Sequence, residues 1–212
     1  DFKTLYNLSK NNKNMVTDEA TLFLKNNKNV KFIKGEEANI KITKKSDLDK
    51  SPIRTFYGIG FDIHRLIKNK KLYLGGINIP FHSGLKGHSD GDVIIHSIID
   101  ALLGALRKKD IGTLYPSNNN KFKNIRSPKI LSPVISLLKD NNCYINNLDI
   151  NLICERPKVS KYRNKIINSL SRLMNINKNI INLKGKTVEK LGLIGKENAI
   201  ASEAIVSINK YE

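Results

Sequence analysis

From Val93 to Leu106 apolar side chains stand at positions 93, 94, 95, 98, 99, 102, 103 and 106, and this run constrains the fold more than any other feature of the chain. Its spacing is that of a helix with one broad buried face. Just ahead of it, Ser89 and Asp92 stand three apart and read as a capping box that would satisfy the free backbone donors at that end. On either side the pattern alternates between strand and helix. Phe56 to Phe61 and Lys71 to Ile79 read as strands, the second broken by Gly75-Gly76 and closed by Pro80, with a hairpin expected through residues 65 to 70. Ser132-Pro133 can start a second helix running to about Lys139, because Pro is tolerated in the first turn. Leu148 to Ile153 and Ile180 to Lys184 read as strands, Tyr162 to Met174 as a third helix. Ile200, Ser202, Ala204, Val206 and Ile208 share one face of a last strand. The expected class is α/β (α+β two-layer), a mixed β-sheet packed on helices.

The first quarter differs in character. Residues 1–54 are rich in Lys and Asn, carry little apolar pattern and offer one short helix over 18–24, so they read as an N-terminal extension without a core of its own. The folded domain is expected to span residues 55–212. Opening at Asp1 rather than Met, the chain reads as an excised piece or as what remains after removal of a targeting segment. In 212 residues, 37 Lys and Arg stand against 19 Asp and Glu, a formal net charge of +18. Such a balance attracts phosphate, nucleic acid or an anionic surface. Yet Lys is scattered among Asn and Ile, Trp is absent and aromatics make up only 7%. A clustered basic stripe with interleaved aromatics is therefore missing, and a nucleic-acid module is disfavoured. No apolar run approaches the roughly 18 residues of a membrane span. Two cysteines, Cys143 and Cys154, cannot build a disulfide framework and point to a reducing compartment.

The candidate chemistry lies around the main helix. Asp62 and His64 are two apart at the end of the first strand, and a strand sends residues i and i+2 to the same face. His96 lies four residues into the helix, one turn from Asp92 and one turn from Asp100. If helix and strand pack together, one carboxylate and two imidazoles meet, a set that suits Zn²⁺ and leaves a fourth position open. Spacing alone leaves a second reading, in which His96 is a hydrogen-bonded core residue. Asp92 likewise reads as a helix cap or as an acceptor that holds an imidazole tautomer. An open three-ligand site would also serve a generic zinc hydrolase.

Several motifs stand together in one order. They are Gly58-Ile59-Gly60-Phe61-Asp62-Ile63-His64, Leu74-Gly75-Gly76 through Pro80, and His88-Ser89-Asp90-Gly91-Asp92 with His96. Asp100-Ala101-Leu102-Leu103-Gly104-Ala105, Asp110-Ile111-Gly112, Pro157-Lys158 and Thr187-Val188-Glu189-Lys190-Leu191-Gly192 follow. In this order they closely resemble the 2-C-methyl-D-erythritol 2,4-cyclodiphosphate synthases, phosphorus-oxygen lyases of the non-mevalonate isoprenoid pathway. The resemblance runs from about Arg54 to the C-terminus.

It implies metal-dependent closure of a CDP-linked methylerythritol 2-phosphate to the cyclic diphosphate, with release of CMP. Asp62, His64 and His96 are implied as Zn²⁺ ligands, and Glu189 as the residue holding a second ion, Mg²⁺ or Mn²⁺, on the substrate diphosphate. His88, Thr187 and Lys158 are implied as catalytic donors, with His88 and Ser89 touching the phosphorylated end of the substrate. Asp110, Ile111 and Gly112 match the methylerythritol segment. Cys154, Pro157, Lys158, Val159 and Ser160, with Lys186, Thr187, Val188 and Glu189, match the cytidine and phosphate pocket. A homotrimer with active sites between subunits is implied, and a plastid-like organelle is expected, with bacterial cytoplasm as the alternative. The chain departs from the family pattern at Ser117, Asn118 and Asn119, where acidic residues are usual, at Lys186, and at Lys196, Glu197 and Asn198. His82 matches no motif and is expected in an exposed loop.

Overall fold

The computed structural model describes residues 2–12, 18–35, 41, 43–44, 53–116 and 125–211, so Ser117, Asn118 and Asn119 lie outside it. The chain divides into two compact units, residues 1–50 and 51–212. The first holds two helices, α1 (Phe2–Asn11) and α2 (Glu19–Lys25). Asp18 caps α2, its carboxylate accepting from Thr21 N–H at 2.7 Å. Helix α1 was not anticipated from the sequence.

In the second unit the chain runs β1 (Ile53–Lys68), β2 (Leu72–Leu74), β3 (Ile77–Ile79), β4 (Ser83–Leu85), α3 (Val93–Ala105), α4 (Ile111–Leu114) and α5 (Ser127–Asp140). It continues through β5 (Cys143–Ile153), α6 (Arg163–Met174), β6 (Ile181–Lys186), α7 (Gly192–Gly195) and β7 (Ala199–Tyr211). Five strands form one sheet in the order β4-β1-β7-β5-β6. All neighbours are antiparallel except β5 and β6, which run parallel with α6 as their crossover. The sheet is mixed and carries its helices on one face, the expected α+β layering.

The core follows from alternation. Ile200, Ser202, Ala204, Val206 and Ile208 share one face, as expected, and are fully buried under the helices, with Ser202, Ala204 and Val206 paired to Leu152, Ile150 and Leu148 of β5. Each large aliphatic side chain removed from water in this way contributes roughly 1.5–3 kcal/mol. Helix α3 lies at the centre, against β1, β7 and α5, and its residues Ile94, Ile95, Ile98, Ile99 and Leu102 have no exposed surface.

Three local expectations are corrected. There is no hairpin through residues 65 to 70: β1 runs on to Lys68, and its end pairs with β4. Gly75 and Gly76, at φ +61° and +82°, instead fold Leu72–Leu74 back onto Ile77–Ile79, because two consecutive positive-φ residues close a two-residue turn. Helix α5 begins at Ser127 rather than Ser132, with Pro128 in its first turn, and Pro133 lies inside it on the exposed side. There the Lys129 carbonyl that loses its bond to Pro133 can turn to water. Ser89 does not cap α3. Asp92 is the N-cap, accepting from Ile95 N–H at 3.2 Å.

Among the described residues no helix is long and apolar enough to cross a membrane.

Candidate functional site

The site begins with two glycines. Gly58 and Gly60 lie on the helix side of β1, and a Cβ at either would stand 1.9 Å from the Ala101 carbonyl oxygen or 2.0 Å from that of Ser97. Only a strand with no side chains there lets α3 approach so closely. The next two residues on that same face are Asp62 and His64, and His96 directly precedes Ser97 on α3. The close approach therefore delivers the imidazole of His96 to the strand pair.

The three side chains converge. His96 Nδ1 lies 2.9 Å from Asp62 Oδ2 and 3.3 Å from His64 Nε2, and His64 Nε2 lies 3.1 Å from the same carboxylate oxygen. One ligand atom from each falls within 4.8 Å of the others. Burial alone would raise the Asp62 carboxyl, but hydrogen bonds from His64 and His96 and their charge outweigh it and bring it down to about 2. Burial would lower the His96 imidazole, yet the hydrogen bond and charge of Asp62 hold it above its ordinary value. A carboxylate that stays ionised beside two imidazole nitrogens, with no lysine or arginine among the described residues ion-paired to it, is a donor set fit for a divalent ion.

The cluster opens into a pocket of about 220 Å³ lined also by His88, Ser89, Ile111, Gly112, Tyr115 and Pro116. Ile111 and Gly112 thus line the same pocket as Asp62, His64 and His96. Asp110 does not line that pocket; it is exposed and caps α4, accepting from Thr113 N–H at 2.7 Å, a bond that draws its carboxyl below the usual range. Asp100 takes the Ile111 N–H at 2.8 Å and so pins the start of α4 to α3. Asp92 does not hold an imidazole. It is fully buried and spends its oxygens on the N–H groups of Gly75, Gly76 and Ile95, tying the β2–β3 turn to the start of α3. Sequence reasoning gave Ser127 no role and Asp90 none beyond its motif, although Ser127 Oγ lies 3.0 Å from His96 Nε2 and hydrogen-bonds to Asp90. Only the inclusion of Asp90 in the 88–92 motif hinted at it.

The remaining predicted residues gather elsewhere. Cys154, Pro157, Lys158, Val159, Ser160, Lys186 and Thr187 line a second pocket of about 290 Å³ together with Glu155, Arg163 and Gly185. The Cys154 thiol is pushed up to about 12, chiefly by burial and further by Glu155. Glu155, given no role in the sequence beyond its place in the 154–160 segment, accepts from Val188 and Lys190 N–H at 3.1 Å each and shapes the turn after β6. That turn carries Glu189 at φ 52°, where Thr187 Oγ1 donates to its carboxylate at 2.9 Å. His82 is exposed, as expected.

Within one chain the two pockets stay apart. Asp62 on β1 pairs with Ser202 on β7, Ser202 with Leu152 on β5, and Leu152 with Gly185 on β6. Three strand spacings of about 4.8 Å put roughly 14 Å of sheet between Asp62 and the strand that leads to Thr187.

Residues 55–209 match the model of the YgbB family. A protein of Pelagibacter ubique (strain HTCC1062) named bifunctional enzyme IspD/IspF is 50% identical over 212 residues, 100% of this chain and 57% of that protein. The 2-C-methyl-D-erythritol 2,4-cyclodiphosphate synthase of Caldicellulosiruptor bescii is 45% identical over 151 residues, 71% of this chain and 96% of that one. Among solved structures, the IspF of Plasmodium falciparum, a CDP complex, superposes with a TM-score of 0.66 at 40% identity, covering 74% of this chain and 97% of that one. The bifunctional IspDF of Campylobacter jejuni superposes at 0.73 with 34% identity, covering 99% of this chain and 58% of that one. The chain spans little more than half the length of its bifunctional relatives. With a family match over its whole folded unit, the chain belongs to the YgbB family.

Proposed function

We propose that the chain carries out the metal-dependent cyclisation of 4-diphosphocytidyl-2-C-methyl-D-erythritol 2-phosphate to 2-C-methyl-D-erythritol 2,4-cyclodiphosphate, releasing CMP. The observation that carries the reading is the convergence of Asp62, His64 and His96 at the mouth of an open pocket. Relatives of 44–45% identity that match over nearly their full length bear the name of that synthase. In the reaction the 2-phosphate oxygen bonds to the β-phosphorus, and the bond from that phosphorus to the oxygen of CMP breaks. The nucleophile is already ionised near neutral pH, so no strong base is required. What the protein must supply is geometry: well-oriented intramolecular reactions reach effective molarities of ~10⁵–10⁸ M.

A divalent ion held by Asp62, His64 and His96, Zn²⁺ being the expected one, supplies Lewis acidity to a phosphate oxygen. Around it His88 and Ser89 bind the phosphorylated end, while Ile111 and Gly112 wall the methylerythritol side. Lys158, Thr187 and Lys186 face the second pocket, where a cytidine diphosphate fits the mixture of buried apolar lining and cationic rim. Glu189 offers one carboxylate to a Mg²⁺ or Mn²⁺ that arrives with the diphosphate.

A single substrate must touch both pockets, and roughly 14 Å of sheet separates them in one chain. A homotrimer resolves this by setting the second pocket of one copy beside the metal pocket of the next. The open face of the sheet supports such an assembly. Tyr57, Ile59, Phe61 and Ile63 of β1 and Ile205 of β7 are exposed there, opposite the helices, with Ile59 directly paired to Ile205. A row of this kind on a sheet face marks an interaction surface.

Residues 1–50 fall within the alignment to the Pelagibacter ubique bifunctional relative and outside the family match over 55–209, which supports reading them as belonging to the other half of such an enzyme. Those relatives are bacterial, which favours bacterial cytoplasm over the plastid-like organelle first expected.

The test is direct: incubate the protein with the CDP-methylerythritol 2-phosphate, Zn²⁺ and Mg²⁺ and follow CMP. CMP and cyclic diphosphate in equal amounts are expected, and His96→Ala should abolish both zinc uptake and CMP release. Release of inorganic phosphate in place of CMP would turn the assignment toward a zinc hydrolase.

A further inference from the structure

The imidazole of His96 is engaged on both sides. Nδ1 faces Asp62 and His64, while Nε2 lies 3.0 Å from Ser127 Oγ and 3.1 Å from Ser89 Oγ. Behind Ser127 stands Asp90, which accepts the Ser127 hydroxyl at Oδ1, while the Ser127 N–H lies 3.2 Å from both carboxylate oxygens. Asp90 is itself fixed by Arg126, whose Nε donates to Oδ2 at 2.7 Å and whose guanidinium lies 3.8 Å from the centre of the Tyr73 ring. A further bond from Arg126 Nη2 to the Gly76 carbonyl, 3.2 Å, ties the arrangement to the β2–β3 turn. Ser127, Asp90 and His96 are 0%, 7% and 8% exposed, so water does not substitute for these partners.

The direction of the chain of bonds follows from what each group can do. An ionised carboxylate only accepts, so the one hydroxyl proton of Ser127 is committed to Asp90. Ser127 Oγ can then only accept from His96, which requires the proton of the neutral ring to sit on Nε2. With an ion in place of the Nδ1–H bond to Asp62, the lone pair of Nδ1 would face that ion between Asp62 and His64. Ser89 imposes no such order, because its hydroxyl accepts from Gly91 N–H at 3.2 Å and keeps its own proton free to turn.

We propose that Ser127, backed by Asp90, is a positioning residue that fixes His96 in its Nε2-protonated tautomer and aims Nδ1 between Asp62 and His64. The ion affinity of the trio is thereby set in part from α5, an element that carries none of the three ligands. The proposal rests on the metal reading above. Partners of this kind fix ring orientation and raise ligand basicity, and losing one costs about 10- to 100-fold in metal affinity.

The experiment is zinc titration of the full chain against a chromophoric chelator for the wild type, Ser127→Ala, Ser127→Thr and Asp90→Asn. The melting temperature of each metal-free protein is measured alongside, and ¹⁵N NMR of labelled histidine is recorded on the zinc forms. Ser127→Ala should weaken zinc binding about 10-fold or more. Ser127→Thr, which keeps the hydroxyl, should bind more tightly than Ser127→Ala. Asp90→Asn should weaken binding as well, since an amide can donate to Ser127 Oγ and release the hydroxyl proton toward Nε2. In the wild type His96 should carry its proton on Nε2. Unchanged affinity and tautomer in a folded Ser127→Ala protein would overturn the proposal alone. A loss confined to Ser127→Ala, accompanied by a collapse in its metal-free melting temperature and absent from Asp90→Asn, assigns the effect to packing and overturns it too. A wild type that takes up no zinc removes the metal reading, and this inference with it.

Discussion

The two pockets of the folded unit are built in opposite ways. Asp62, His64 and His96 themselves each stand on a strand or helix whose position is forced by contact: Gly58 and Gly60 admit α3, and Asp92 locks the start of α3 to the β2–β3 turn. The pocket of Lys158, Lys186 and Thr187 hangs on loops and strand ends at the far edge of the sheet, shaped by Glu155 and by residues at positive φ such as Glu189 and Lys190. The first is assembled by the packing of one chain. The second gathers Lys158, Lys186 and Thr187 about three strands away from the trio. Rigid elements suit an ion, which tolerates little error in ligand geometry, whereas loops suit a nucleotide that must enter and leave.

The largest expected effect tests the glycine hinge of the first region. Gly60→Ala drives a methyl group into the backbone of Ser97 and Ala101, where no side chain can swing aside. A loss of about 3 kcal/mol or more is expected, and roughly 10 °C in melting temperature. Zinc affinity should fall with it because α3 carries His96. An unshifted melting temperature would show that α3 is not held by this contact. Next in size is a charge on the open sheet face. Ile59→Asp should leave the chain folded and able to take up zinc, yet run as a single 23.9 kDa species. CMP release should drop about 100-fold or more, the scale set by burying an unpaired charge at a contact. Activity retained in a proven monomer would mean that one chain unites both pockets after all.

The same contrast explains what could be read from the sequence. Alternation along β7 and the apolar run of α3 are local periodicities, and both were legible, the helix to within one residue and the strand to within three. The candidate trio was suggested by spacing, since two of its members share a strand face and the third sits on a helix able to pack there. Spacing left a second reading open for His96, and only the resemblance singled out all three. What escaped depended on partners distant in sequence. That Asp92 serves Gly75 and Gly76 could not be known before the turn that brings them round, and Ser127 meets His96 only once α5 is laid down from residue 127. The start of α5 was misplaced because two prolines, Pro128 and Pro133, each offer a helix start and only tertiary packing chooses. The long β1 was cut short at Phe61 because Asp62, His64 and Arg65 look like the end of a strand when their pairing with β7 is unseen.

Glu189→Gln addresses the loop pocket with a smaller expected effect. The variant should keep zinc affinity at its wild-type value and need several-fold more Mg²⁺ for half-maximal CMP release, since one anionic ligand is lost from the ion carried by the diphosphate. Its amide can still accept the Thr187 hydroxyl that now reaches Glu189 at 2.9 Å, so the turn itself should persist. Identical Mg²⁺ dependence in both proteins would separate Glu189 from metal binding.

The smallest effect concerns how firmly the edge bearing the second pocket is joined to the sheet. Asp149 on β5 accepts from Lys184 and, at 2.8 Å, from Asn182, both on β6. Burial pushes its carboxyl up, but these bonds outweigh burial and hold it below the ordinary value of 3.8. A carboxyl whose folded pKa is depressed stabilises the fold fully above its unfolded pKa and loses that contribution as pH falls through the folded one. Between pH 5 and pH 3 the wild type should therefore lose more stability than Asp149→Asn, which has no such proton to take up. Because both Asp149 and Lys184 remain partly exposed, the difference should stay under about 1 kcal/mol. Urea unfolding at the two pH values measures it, and equal losses in the two proteins would show that β6 is held by Ile181 and Leu183 in the core and owes nothing to the charges on its outer face.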